Sequence, residues 1–388
     1  MSGKPHILFV QSSADLYGSD RCLISIASGL SKKGYKISVV VPYYGDLIKP
    51  LESAGIRTWV LEPVVFRKQI LRKPRKVAGL VFETPRSVRE LARLIRSEHV
   101  DVIHSNTGVV IGGALAAKKC NLPHIWHIRE IFSEFDKAWR FYELLIGHYS
   151  TRILCISDAV RNQFRASSTK NKLDVIYDGL DIPALREEQL ENVKNKEHNH
   201  PFRIICVGRI NPPFKGQDVL VGAMRRLLDR GIEAELILLG DVFPGRELYK
   251  EGLIDQIRSM HLENSVTLAG FQDEINPWID NADLVIVPSR HKEPFGIVVL
   301  EALARGKPVV ASKTGGIPEI INDGQNGILV PPGDEYALSE AILKLYQDPE
   351  LRSKLGYAGW QTVTKKFVLE KTVEDLARIY DQILSPGN

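Results

Sequence analysis

The feature that most constrains this chain is an alternation, written twice, of short apolar runs with helical stretches. The first half reads HILFV (6–10), the amphipathic DRCLISIASGLSKKG (20–34) and KISVVVP (36–42). It continues with VDVIHSN (100–106), the helical GGALAAKK (112–119), HIWHI (124–128), and TRILCIS (151–157) followed by DAVRNQF (158–164). The second half repeats the rhythm: FRIICVG (202–208), helical QDVLVGAMRRLLDRG (217–231), AELILLG (234–240), VTLAG (266–270), ADLVIVP (282–288), helical IVVLEALARG (297–306) and PVVAS (308–312). A short run that is apolar on both faces suits a buried parallel strand, and the helices supply the crossovers that parallel strands need. The expected fold class is therefore α/β, with two doubly wound, Rossmann-like parallel-sheet domains facing each other across a cleft. A chain of 388 residues is also long for a single core.

The expected divisions are an N-terminal domain over 1–177, a linker over 178–201, a second domain over 202–366, and a C-terminal helix over 367–388 packing back toward the first domain. The linker, DGLDIPALREEQLENVKNKEHNHP, is polar and carries no strand signal. Its His198-Asn199-His200 reads as solvated rather than metal-binding. The N-terminal MSGKPHILFV is too short in apolar residues for a secretory signal and reads as a first strand. No apolar run approaches the roughly 18 residues of a membrane span. Cys22, Cys120, Cys155 and Cys206 stand singly among apolar residues, as small core residues of a reduced, cytoplasmic protein do.

Within the second half, EPFGIVVLE places carboxylates at Glu293 and Glu301. Pro294 is expected to open a helix, with Phe295 to Glu301 as its first two turns. A rise of ~1.5 Å per residue then separates the two backbones by on the order of 10 Å. Retaining glycosidases hold their carboxyls about 5 Å apart and inverting ones somewhat further. The pair thus suits two ends of one ligand better than an acid/base couple, with a loop acid and a solvated helix acid as the plain alternative.

Ligands of doubly wound sheets bind at the carboxyl ends of the strands, so the loops after FRIICVG and ADLVIVP matter most. The first, GRINPPFKG, carries Gly208, Arg209, Lys215 and Gly216. Arg offers a planar fork and Lys a point charge to a phosphate or diphosphate. The N-terminus of a 294–306 helix would add N–H groups at Gly296 and Ile297. Together these describe a diphosphate site; a turn with surface cations is the bland reading. The chain has no Gly-x-Gly, no Gly-Lys-Ser/Thr and no Asp-x-Asp. The dinucleotide fingerprint, the P-loop and the metal-binding carboxylate pair are therefore missing, and no metal or other cofactor is expected.

These residues resemble the retaining glycosyltransferases of family 4, which have the two-domain GT-B fold. The family's E-x7-E motif is Glu293 to Glu301 with Phe295 and Gly296 in place, and GRINPPFKG resembles its Gly-Arg…Lys-Gly element. ASKTGGIPEIINDGQNGILVPPGD and YGSDRCLISIASGLSKKGYKISVVV are similar to its later glycine-rich turn and its first loop and helix. The resemblance implies a metal-independent transfer of a hexose-type sugar, with retention, from a nucleoside-diphosphate sugar to an acceptor hydroxyl. The product would belong to cell-surface glycan, glycolipid or polysaccharide biosynthesis. Arg209 and Lys215 would hold the diphosphate and neutralise charge as the nucleotide leaves. Glu301 would accept from the ribose hydroxyls, and Glu293 would bind hydroxyls of the donor sugar. Phe295, Gly296 and Ile297 would present backbone N–H groups. Gly18 would let its loop approach the diphosphate. His127, in HIWHIRE, would sit beside the reacting sugar as a hydrogen-bonding or transition-state-stabilising group; a satisfied strand-end histidine is the alternative. Glu319 would be structural. An epimerase of the same fold, or a non-catalytic sugar-nucleotide-binding protein, would share the donor site but consume no acceptor.

The acceptor is expected to be a glycan or a lipid-linked molecule. Residues 1–177 hold 27 Lys and Arg against 15 Asp and Glu, while the remainder holds 24 against 32. Much of the excess lies in Phe66–Arg96, with ten basic and two acidic residues. Such a stretch suits peripheral contact with an anionic membrane at its inner face, or is simply a solvated face. The segment KAWRFYELLIGHY, Lys137 to Tyr149, adds aromatic and aliphatic residues suited to an interface. No nucleic-acid recognition motif accompanies the charge, so no nucleic-acid partner is expected.

Overall fold

The computed structural model describes residues 4–16, 18–65, 74–132, 136–182 and 201–385, with the side chains of 74–83 and 136–137 outside the description. Most of the expected linker, including His198 to His200, and the 66–73 part of the basic stretch lie outside the described residues. The chain forms two compact units, Met1–Asp181 with Val368–Asn388, and Ile182–Phe367.

The first unit is built on strands β1 (His6–Val10), β2 (Lys36–Val41), β3 (Arg57–Val60), β4 (Val102–Ser105), β5 (His124–Ile128), β6 (Arg152–Cys155) and β7 (Leu173–Val175). They lie in the order β3-β2-β1-β4-β5-β6-β7, and every pairing is parallel. The second unit holds β8 (Phe202–Val207), β9 (Ala234–Leu239), β10 (Val266–Gly270), β11 (Leu284–Val287), β12 (Val309–Ser312) and β13 (Ile328–Val330). Their order, β10-β9-β8-β11-β12-β13, is likewise all parallel. Each sheet reverses its winding once, beside β1 and β4 in the first unit and beside β8 and β11 in the second. The loops that leave those strands stand where a doubly wound sheet takes its ligand.

The central strands β1, β4 and β5 are buried along their whole length; β1 is an unbroken apolar run from Ile7 to Val10, while the three strands also bury His6, His104, Ser105, His124 and His127. The edge strands β3, β7 and β13 are only partly covered. Their short sequences, RTWV, LDV and ILV, carry correspondingly little strand signal.

The first unit is closed by the chain's last helix, Leu369–Leu384. Val373, Leu376, Ile379 and Tyr380 recur every three or four residues, forming one apolar stripe buried with Phe9, Leu23 and Leu30. A Cβ on Gly29 would press into Val373, so the Gly18–Lys32 helix reaches this helix only by lacking a side chain there. The returning strand of chain is anchored by Leu369 N–H donating to the Leu180 carbonyl at 2.9 Å and Thr372 Oγ1 donating to the Tyr177 carbonyl at 2.9 Å. Asp178, expected to begin the linker, is instead buried in this unit and paired with Arg129.

Leu376 is fully enclosed. Leu376→Ala should therefore destabilise the first unit by about 2–5 kcal/mol, the usual cost of emptying a leucine site. Urea unfolding followed by a probe in that unit checks this; a loss below ~1 kcal/mol would mean the helix is not part of its core.

Candidate active site

In the second unit, β8 delivers the chain to Gly208 and Arg209, and a single turn, Pro212–Lys215, brings Lys215 back toward the sheet. Gly216 ends that turn with φ of 70° and begins the Gln217–Leu228 helix. A side chain here would collide with the Pro288 carbonyl, in the loop after β11, so glycine is needed for both conformation and approach. The two loops are then stitched: Arg290 N–H donates to the Phe214 carbonyl at 2.9 Å. The Phe214 and His291 rings stack 4.3 Å apart, and Phe214 remains partly exposed.

This contact sets Lys215 against Glu293. The Nζ lies 2.9 and 2.8 Å from the two carboxylate oxygens, and Ser289 Oγ donates to the same carboxylate at 2.9 Å. Burial alone would raise the Glu293 pKa; the Lys215 charge, its hydrogen bonds and the Ser289 hydroxyl outweigh it and hold the carboxyl below its ordinary value of 4.5. A third loop fixes the backbone, with Gly316 N–H donating to the Glu293 carbonyl at 2.8 Å. Gly315, in the left-handed region at φ of 57°, lies too close to that carbonyl to carry a side chain.

The helix after this loop does not start at Pro294 as expected. It spans Ile297–Ala304, because Gly296 at φ of 104° breaks the helical path before it. Phe295 turns inward and packs against Phe367, with ring centroids 5.7 Å apart, anchoring the turn. Glu301 is the fifth residue of the helix, in its second turn. Arg209 sits with its guanidinium carbon 3.1 Å from the centroid of the Phe243 ring, a cation–π contact from the loop after β9. Phe243 was not singled out from sequence: nothing local marks it, since its partner lies 34 positions away.

In the first unit, Gly18 is the exposed first residue of the Gly18–Lys32 helix, following the β1 loop. His127 is the fourth residue of β5 and is buried. Its Nδ1 lies 3.3 Å from His104 Nε2, and His104 Nδ1 lies 2.7 Å from the Tyr380 hydroxyl. Burial first, then the Arg129 charge, push both imidazoles well below the ordinary histidine value, so both are neutral. Beside them the carboxyl edge of the sheet carries a buried polar chain that sequence reading missed. Asp20 accepts from Gln11 Nε2 (2.5 Å) and Ser13 Oγ (3.1 Å). Asn106 Nδ2 donates to Gln11 Oε1 at 3.2 Å, and Arg129 Nε donates to Asn106 Oδ1 at 3.3 Å. Arg129 Nη1 meets Asp178 at 2.5 Å, both side chains being buried. The positions follow β1, β4, β5 and β7, so only the sheet order brings them together.

Thus Lys215 and Glu293 touch directly, while Arg209, Phe295, Gly296, Ile297 and Glu301 occupy the neighbouring loops and helix of the same unit. Gly18 and His127 share the carboxyl edge of the other.

Two family models match the chain. That of "Glycosyltransferase Family 4" covers residues 17–183, and that of "Glycosyl transferases group 1" covers residues 187–362. An uncharacterised glycosyltransferase of Methanocaldococcus jannaschii is 33% identical over 300 residues, 75% of this chain and 78% of the relative. The capsular polysaccharide biosynthesis glycosyltransferase CapM of Staphylococcus aureus is 27% identical over 331 residues, 80% of this chain and 84% of its own. Among solved structures, Anabaena Alr3699/HepE in complex with UDP and glucose aligns with a TM-score of 0.81 and 25% identity, covering 98% of this chain and 100% of that one. Two doubly wound parallel-sheet domains of this topology are those of the GT-B glycosyltransferases. The chain belongs to the group 1, family 4 glycosyltransferases.

Removing the Lys215 ammonium leaves burial as the leading influence on Glu293. In Lys215→Met its carboxyl should titrate higher than in the native chain, where it lies below 4.5. Because the folded value is lowered, the pair stabilises the fold at pH above the ordinary glutamate range and loses that contribution as pH falls through the folded value. The stability gap between native chain and variant should therefore narrow on acidification. Carboxyl 13C NMR titration of Glu293 checks the shift; an unchanged or lower value in the variant would contradict it.

Proposed function

We propose that this enzyme transfers a hexose-type sugar, with retention, from a nucleoside-diphosphate sugar to an acceptor hydroxyl without a metal ion. The observation that carries the reading is Lys215 held against both oxygens of Glu293 where the loops after β8 and β11 meet. A cation beside a carboxylate, at the edge where parallel sheets bind ligands, suits a diphosphate next to sugar hydroxyls. A UDP-sugar is supported by the Anabaena structure, which contains UDP and glucose. A place in glycan or polysaccharide biosynthesis is supported by CapM, whose description names capsular polysaccharide biosynthesis.

In this reading Arg209, oriented by Phe243, and Lys215 take the diphosphate, with the N–H groups of Gly296 and Ile297 adding donors. Glu301 receives the ribose hydroxyls, Glu293 the sugar hydroxyls, Phe295 fixes the turn between them, and Gly18 lets the β1 loop approach the diphosphate. The glycosidic bond loosens to an oxocarbenium-like state, the acceptor hydroxyl attacks from the same face, and the departing phosphate oxygen takes its proton. Lys215 counts most as negative charge grows on the leaving group, which makes its contribution greater in the transition state than in the ground state. His127 serves the reacting sugar as a hydrogen-bonding or transition-state-stabilising group.

Lys215→Ala should lower kcat by on the order of 10²–10³ while raising the donor KM far less. Steady-state release of nucleotide from common UDP-, GDP- and ADP-sugars, with and without acceptor and with EDTA, checks the proposal. Nucleotide release that ignores added acceptor would favour an epimerase. Loss of turnover in EDTA would overturn the metal-free mechanism.

For the acceptor we propose a lipid-linked molecule at an anionic membrane. Phe141 is 72% and Leu144 55% exposed on the Asp136–Tyr149 helix, beside exposed Arg140. On the Pro74–Ser97 helix, exposed Arg86, Arg89, Arg93 and Arg96 recur at spacings of three and four, along one face. Each could add about 1 kcal/mol near an anionic leaflet. No helix among the described residues is long and apolar enough to cross a membrane. The protein should float with anionic vesicles at low salt and be released at high salt. Equal binding to neutral vesicles, or none at low salt, would leave the acceptor a free glycan and the stripe a solvated face.

A further inference from the structure

We infer that Ser289 is a positioning residue: with Lys215 it fills the Oε2 atom of Glu293 and leaves that carboxylate one open acceptor position, on Oε1, for a single donor-sugar hydroxyl. That the hydroxyl belongs to a donor sugar rests on the glycosyl-transfer reading; the occupancy of the carboxylate does not.

A carboxylate offers about four acceptor positions, two on each oxygen. Lys215 Nζ lies 2.9 Å from Oε1 and 2.8 Å from Oε2, so it spans the two oxygens and takes one position of each. Ser289 Oγ donates to Oε2 at 2.9 Å and takes its second. Oε2 is then full. Oε1 has no further partner among the described residues, and the Glu293 side chain, at 18% exposure, is not sealed. A carboxylate can only accept, so the group that meets Oε1 must be a donor, a hydroxyl or an amine, and not a phosphate or a second carboxylate.

The serine matters because lysine alone treats the two oxygens alike and leaves an open position on either side of the carboxylate. Ser289 closes one side. It is 1% exposed, and the backbone on both sides of it is held. Before it, the Pro288 carbonyl lies against Gly216, where no side chain fits. After it, Arg290 donates its N–H to the Phe214 carbonyl at 2.9 Å and pairs through its guanidinium with Asp218. The hydroxyl thus springs from a segment fixed against the loop that carries Lys215. Glu293 is in turn held at its own carbonyl by the Gly316 N–H. Burial raises the Glu293 pKa, and the Lys215 charge and hydrogen bonds, then the Ser289 hydroxyl, bring it below 4.5.

The test has two arms. In the first, the Glu293 carboxyl is titrated by 13C NMR, assigned by its absence in Glu293→Ala. Its pKa should rise in Ser289→Ala, by less than in Lys215→Met; an unchanged or lower value would overturn the role of Ser289. In the second, calorimetry measures the binding of UDP, UDP-glucose and the 2-, 3-, 4- and 6-deoxy analogues of UDP-glucose. Ser289→Ala should weaken UDP-glucose about two- to tenfold, the equivalent of one hydrogen bond, and leave UDP, which has no sugar, unchanged. Equal losses for both ligands would reduce Ser289 to a packing role. One deoxy position alone should cost the native chain more than it costs Glu293→Ala, by about ten- to hundredfold, as a hydrogen bond to a charged group does. Two such positions, or none, would contradict the single open site. If neither UDP nor UDP-glucose binds the native chain, it is the reading of this donor that fails, and the titration still decides whether Ser289 holds the carboxylate.

Discussion

A parallel strand can pair with the next only after the chain has crossed back to the same end of the sheet. The candidate site follows from that constraint, because every loop leaving a strand's carboxyl end emerges on one edge of its sheet. In the second unit, the loops after β8, β11 and β12 converge there and contribute Lys215, Glu293 and the Gly315-Gly316 turn. In the first unit, the loops after β1, β4, β5 and β7 contribute Gln11, Asn106, Arg129 and Asp178.

At the second-unit edge the backbone acts before the side chains do. Gly216 lies against the Pro288 carbonyl and Gly315 against the Glu293 carbonyl, so the three loops meet main chain to main chain. Only at that separation can the Lys215 ammonium reach both oxygens of Glu293. The pair is partly solvent-exposed, at 36% and 18% of the two side chains. Its modest stabilising effect matters less than its geometry, since neither group is free to wander from the site. The aromatic contacts extend the same logic: Phe243 fixes the plane of Arg209, and Phe295 anchors the turn before the helix.

The first unit buries polar groups largely against one another, although Arg129 Nη2, Asp178 Oδ1 and His127 Nε2 meet no partner among the described residues. Arg129 is enclosed and charged. Burial would lower its pKa, but the Asp178 carboxylate more than offsets that and keeps it ionised. The C-terminal helix matters here beyond its apolar stripe. Tyr380 brings a hydroxyl to His104 from a position 276 residues along the chain, so the helix that completes the core also supplies a polar group to it.

The sequence by itself determined the two α/β units, because strands buried on both faces are mostly apolar and helices facing a sheet are apolar on one side. It also marked the Gly-Arg…Lys-Gly and Glu…Phe-Gly…Glu loops, whose residue types are set by local chemistry. It did not mark β3, β7 or β13, since half-covered edge strands tolerate mixed composition. Nor did it place the start of the helix after Glu293, because Pro294 is equally at home opening a helix or ending a turn, and the left-handed Gly296 decided between them. The buried polar line from Asp20 to Asp178 and the Tyr380–His104–His127 contact were invisible for one reason. Apart from the Gln11–Asp20 link, each contact joins residues tens to hundreds of positions apart, and only the order of strands in the sheet and the return of the last helix bring them within hydrogen-bond reach.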